Sequence, residues 1–176
     1  MTQTPKVYIA CLAAYNNGCL HGEWIDLSDE ENLQKRISII LNKSPIDDAE
    51  EWAVHDHEYC GKLSEYPGMD ALNRISEAYQ ECSDEDINWE VFVEFCSHIS
   101  KDISPDIVET YKECHQGQST SILAWCTDHL ESTGLLDQVP KELVGYVDTE
   151  AYARDYEINY LFDITHGDEC HIFRNY

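Results

Sequence analysis

The residues that could do chemistry here are eight cysteines and eight histidines. Such residues ligate zinc when paired at short spacing, or form a thiolate–imidazole pair for nucleophilic attack. The spacing supports neither. No C-x-x-C pair occurs. Cys126 and His129 stand three apart on a predicted helix, His55 and His57 flank Asp56, and Cys96 lies near His98, yet no zinc-finger pattern assembles. Cys114 beside His115 has no local signature of a catalytic cysteine. Core cysteines and scattered surface histidines explain the set better. Neither G-x-x-x-x-G-K nor G-x-G-x-x-G is present, so no phosphate-binding loop is encoded. A nuclease-like set of carboxylates plus a lysine would be uninformative in a chain so rich in acids. The expectation is a protein that is not an enzyme, with no metal site and no cofactor.

Charge is the anomaly. Thirty-five Asp and Glu face eleven Lys and Arg, a net charge of −24. Self-repulsion on that scale works against folding. It excludes ordinary nucleic-acid binding, because phosphate contacts need cations, and an acidic membrane surface would repel it as well. Partners that suit it are basic: cationic proteins, or proteins whose own task is to grip DNA. The excess is spread evenly, with eleven acids to four bases in residues 1–60, thirteen to four in 61–113 and eleven to three in 114–176.

The candidate surface carboxylates in the first segment are Asp26, Glu30, Asp47, Asp48, Glu50 and Glu51. The second segment supplies Glu65, Asp70, Glu77, Glu81, Asp84, Glu85, Asp86, Glu90, Glu94, Asp102, Asp106, Glu109 and Glu113. Asp86, Glu90 and Glu94 recur every four residues, about 6 Å apart if they share a helix. Like charges at that spacing cost a few tenths of a kcal/mol per pair. An ordinary solvated helix face accounts for any one such run; it accounts less well for all three segments lacking bases. Duplex DNA carries roughly one charge per 1.7 Å, so the net charge equals about 40 Å of duplex and the full carboxylate count about 60 Å. A two-fold dimer would double those lengths.

Elements must position these groups. Lys6–Tyr15 is β-prone, Asn16-Asn17-Gly18 signals a tight turn, and Gly22–Leu27 returns as a second strand. Ser28 with Glu31 forms a capping-box pattern before a helix whose apolar face is Leu33, Ile37, Ile40 and Leu41. Glu51–Tyr59 reads as a third strand. Helices follow: one with Leu72, Ile75 and Ala78 inward, one capped by Ser83 or Asp84 with Val91, Phe92 and Phe95 inward, and one starting at Ser104-Pro105. A fourth starts near Ser119. A last helix through 149–157 and two strands, Tyr160–Ile164 and Cys170–Phe173, complete the chain. The fold class is α+β in three small units: an N-terminal α+β domain (1–60), a central helical domain (61–113) and a C-terminal α+β domain (114–176).

One stretch stands out, LESTGLLDQVPKELVGYVDTEAYARDY over Leu130–Tyr156. Gly134 sits where a C′ glycine ends a helix, Pro140 blocks its continuation, and Asp148 or Thr149 can cap the next. This stretch resembles the antirestriction segment of the ArdA family, DNA-mimic antirestriction proteins carried by conjugative plasmids and transposons. VYIACLAAYNNGCLHGEWIDL is similar to the family's opening and HIFRNY to its ending, while residues 60–120 match only in length and acidity. The resemblance implies an elongated, three-domain homodimer that occupies the DNA-binding groove of type I restriction–modification enzymes. Its partners there would be the specificity and modification subunits, with carboxylates standing in for phosphates. Leu135, Leu136, Asp137, Leu143, Val144 and Tyr146 are the expected residues of partner or self-association; the alternative is that the apolar ones fill a domain core.

Residues 1–20 lack a basic n-region and a long apolar run, and no stretch of the chain is long and apolar enough to span a membrane. A cytoplasmic location with reduced thiols is expected. The competing functional reading is an acidic adaptor or chaperone for a basic protein, without mimicry of DNA shape.

Overall fold

β1 (Lys6–Cys11) is the centre strand of a three-stranded antiparallel sheet, flanked by β2 (Gly22–Asp26) and β3 (Trp52–Glu58) in the order β2-β1-β3. The computed structural model describes residues 3–29 and 32–176. Val7 and Ile9 of β1 are wholly buried, as period-two alternation requires. The chain does not turn directly from β1 into β2. Leu12–Asn16 forms a short helix, α1, closed by Asn17 and by Gly18 at φ +76°. Asn-Gly therefore ends a helical turn here instead of making a two-residue hairpin. Ala14, buried at the centre of α1, supplies the reason: the apolar run continues inward through the connection.

The helix α2 (Leu33–Asn42) is capped by Asn32, whose side chain accepts the amide of Lys35 at 3.1 Å. Ser28, the expected cap, gives its amide and hydroxyl to Asp26 instead (2.9 and 2.6 Å). Glu30 and Glu31 lie outside the described residues, and with them the second half of the expected capping pattern. Ile37 and Ile40 turn inward from α2.

The long helix α3 (Gly68–Asp84) buries Leu72, Ile75, Ala78 and Cys82 at helical spacing. It is tied to the end of β2: Ser76 donates to the Leu27 carbonyl (2.7 Å) and Gln80 to that of Ser28 (2.8 Å). α4 (Trp89–His98) packs Trp89, Val91, Phe92 and Phe95 into the interior, and the Trp89 indole donates to the Tyr59 carbonyl at 2.9 Å. α5 spans Pro105–Cys114, starting at the proline as the sequence indicates.

A second sheet follows. β4 (His115–Ser119), β5 (Leu161–His166) and β6 (Glu169–Arg174) run antiparallel in the order β4-β6-β5. α6 (Ile122–Ser132) and α7 (Thr149–Tyr160) bury Ile122, Cys126 and Ala153 against Leu161, Cys170 and Ile172. β4 has no counterpart in the sequence reading, which placed a helix near Ser119. Its residues, HQGQS, lack the apolar alternation that betrays a strand, and pairing with β6 alone defines it. The α+β class stands.

Two compact units emerge, Met1–Glu109 and Thr110–Tyr176.

Gly22 has no room for a side chain. A Cβ there would press on the Ile9 carbonyl oxygen and meet the Tyr8 ring at 2.9 Å. Gly22→Ala is expected to destabilise the protein by about 1–3 kcal/mol, the range for forced overpacking, read as a lower midpoint in urea unfolding.

Candidate functional site

The buried polar set of the described residues contains a histidine and no carboxylate. Each described member of the expected carboxylate surface is therefore at or near solvent. All are exposed except Asp26, Glu81 and Glu90, which are half-buried. Glu30 lies outside the described residues.

Asp26 differs from the rest. It accepts from Thr4 at 2.8 Å and from Ser28 twice, with Lys6 Nζ at 3.9 Å. Burial raises its pKa, but the Ser28 and Thr4 bonds and Lys6 outweigh this and hold the carboxyl below its ordinary range. Those bonds occupy its oxygens in fastening the end of β2.

Asp86, Glu90 and Glu94 do not share a helix. α3 closes at Glu85, and Asp86 follows at φ +55°. The amide of Ile87 reaches back to the Cys82 carbonyl (2.8 Å) and that of Asp86 to Ser83 (3.3 Å), a Schellman closure. α4 then starts afresh, because the Asn88 side chain accepts from the amides of Glu90 and Val91. A single helix through 86–94 is thus broken by two competing end signals, and Asp86 stands apart from Glu90 and Glu94.

Acids at helix ends are placed partly with and partly against the helix dipole. Acidic residues suit a helix N-terminus and harm its C-terminus. Asp70, Glu90 and Asp106 occupy favourable first turns. Glu81 and Asp84, however, lie in the last turn of α3 with Glu85 and Asp86 just beyond, and that turn has no basic residue. The last turns of α2 and α7 also lack one.

The stretch of interest folds as two 3-10 turns, Leu136–Gln138 and Val144–Tyr146, between α6 and α7. Gly134 takes φ +67° and Asp148 caps α7 through the Ala151 amide (2.9 Å), both as the sequence indicates. Leu135, Leu143 and Tyr146 are 41%, 53% and 85% exposed, and Val144 is exposed too. Leu136 is half-buried and Asp137 exposed. These side chains are outside the core formed by α6, α7 and the second sheet.

The cysteines are free, and all but Cys19 are buried. Burial pushes the thiols of Cys60, Cys82 and Cys96 up to about 12, the reverse of an activated nucleophile. Among the described residues no three His, Cys, Asp or Glu side chains are grouped to hold a metal ion. No described helix is long and apolar enough to cross a membrane. A set of rings on α6 and α7, not singled out in the sequence, forms a continuous contact chain. Its only sequence signal is i,i+4 spacing on each helix.

Fold and surface together define a polyanionic α+β protein with its acids held outward. A family model described as Antirestriction protein (ArdA) matches residues 7–169. The chain belongs to the ArdA family of antirestriction proteins. No curated protein matches it.

Proposed function

We propose that the protein inhibits type I restriction–modification enzymes as a DNA mimic, binding in the groove formed by their specificity and modification subunits. It acts as a stoichiometric competitor, not as an enzyme, and needs no cofactor. The observation that carries this reading is the outward carboxylate surface with its net charge of −24, kept even at the C-terminal end of α3, where it costs stability. Carboxylates placed where the enzyme expects phosphates engage the same Lys and Arg side chains. A homodimer in the cytoplasm completes the proposal. Leu135, Leu143, Val144 and Tyr146 are exposed apolar groups suited to self-association or to contact with the enzyme.

The test is a titration against cleavage of unmodified DNA by a type I enzyme. Inhibition is expected at near-stoichiometric protein, and direct binding should weaken steeply as salt rises above physiological strength. Binding that persists unchanged at high salt would sink the electrostatic account. Absence of inhibition, with tight binding to an unrelated basic protein, would favour an acidic adaptor instead.

A further inference from the structure

α6 and α7 carry a chain of aromatic rings over the core of the second sheet. Trp125 and His129, one turn apart, are stacked with centroids 4.7 Å apart and planes at 11°. Tyr156 of α7 approaches both, at 6.2 Å and 5.8 Å. Tyr152 and Tyr160, one turn to either side, lie 5.3 and 5.1 Å from Tyr156. Packing alone does not account for all of it. Trp125, Tyr152 and Tyr156 cover the core, but Tyr160 is 59% exposed and its neighbour Ile158 72% exposed.

The chain of rings is bordered by acids. Asp128 stands one turn from Trp125, Asp155 one turn from Tyr152 and Glu157 one turn from Tyr160, and all three acids are exposed. Glu157 lines a surface hollow together with Leu123 of α6, which places it on the side of α7 nearer that helix. The one base of α7, Arg154, stands a turn from Glu150 on one side and Glu157 on the other.

Ring faces are electron-rich and attract cations, arginine above all, because its flat guanidinium stacks on a ring while its N–H groups reach a carboxylate. Lysine can satisfy the carboxylate but has no flat face to stack. An anionic partner would be repelled. The geometry points to the α6–α7 ring chain as a docking surface for arginine side chains of a basic partner. This deepens the proposal above, on which it rests: it names arginine as the cation this part of the surface selects, beyond charge alone.

The probe is a nine-residue arginine peptide compared with a nine-residue lysine peptide, titrated against the full chain by calorimetry at physiological salt. The arginine peptide should bind at least about fivefold more tightly. Trp125→Leu and Tyr156→Leu, which keep apolar cover over the core, should each erase most of that preference. The triple change Asp128→Asn, Asp155→Asn, Glu157→Gln should weaken both peptides alike. Equal binding of the two peptides by the wild type overturns the inference, as does an arginine preference that survives in Tyr156→Leu with an unchanged circular dichroism spectrum. A change of oligomeric state in the leucine variants would instead assign the rings to a second copy, and also overturns it. None of these readouts involves a restriction enzyme, so failure of the wild type to block restriction is a separate result that strikes the mimic reading alone.

Discussion

Replacing Glu81, Asp84 and Asp86 together by their amides should make the protein more stable and a poorer inhibitor. The stabilising half follows from where the three sit. Glu81 and Asp84 occupy the last turn of α3 and Asp86 the left-handed residue that closes it, so their charges lie against the negative end of the helix dipole. Each unfavourable charge there costs about 0.3–1 kcal/mol. Asn is as well suited as Asp to the left-handed position, so Asp86→Asn removes charge without backbone strain. Removing all three should gain about 1–2 kcal/mol, allowing for overlap between neighbouring charges. For a chain of this size that corresponds to a rise in Tm of roughly 3–6 °C. The functional half follows from mimicry. On the proposed mimicry the same three carboxylates would stand in for phosphates, and inhibition of a type I enzyme should weaken by about tenfold, equivalent to about 1.4 kcal/mol, with a shallower salt dependence. Thermal melts and titrated cleavage assays on one preparation test both. A variant that is stabilised but inhibits as well as the wild type would show that this end of α3 faces away from the enzyme. A loss of stability would contradict the dipole argument.

The second large effect is loss of stability in mild acid, centred on two histidines of the second sheet. His171 is 3% exposed and its Nδ1 has no hydrogen-bond partner among the described residues; the Nε2 of half-buried His115 likewise has none there. Their rings lie 5.5 Å apart, and the His115 ring stacks on Tyr111. Burial lowers the pKa of His171, with Glu169 opposing and His166 adding to the shift. Burial, then His171, lowers that of His115. Both groups therefore bind protons less readily folded than unfolded. Their contribution to stability is complete above the unfolded value of 6.5 and is lost as pH falls below it. Charging either ring in the folded state leaves a poorly solvated ion, and a buried group left unsatisfied costs about 1–3 kcal/mol. Tm should fall by several degrees between about pH 7.5 and about pH 5, before most carboxylates titrate. His171→Gln, which cannot charge, should flatten that fall. His171→Phe serves as a second, apolar version. An equal acid response in both variants would assign the effect elsewhere.

The apolar periodicity of the chain was enough to set the fold class and most element positions. β2 and β3 fall where the sequence puts them, β1 fills the first part of the expected Lys6–Tyr15 run, α3 and α5 lie where helical spacing and Ser104-Pro105 put them, and Asp148 and Gly134 act at the helix ends as their types require. Composition alone ensured an acidic exterior, because thirty-five carboxylates cannot be matched by eleven bases or buried uncompensated. The features that local sequence does not reveal share one cause: the deciding interaction lies outside the local segment. Asn16-Asn17-Gly18 could serve a hairpin or a helix end, and burial of Ala14 chose the helix. β4 is a strand only because β6 offers it a partner. Spacing of four suggested one helix through Asp86, Glu90 and Glu94, whereas the Schellman closure and the Asn88 cap divided it, which moved Asp86 from a charged stripe to a turn. The ring chain of Trp125, His129, Tyr152, Tyr156 and Tyr160 depends on two helices far apart in sequence coming side by side. Sequence determined how much charge the protein must show to solvent; only tertiary packing decided which carboxylates and rings stand together, because neighbours in space are set by the core beneath them.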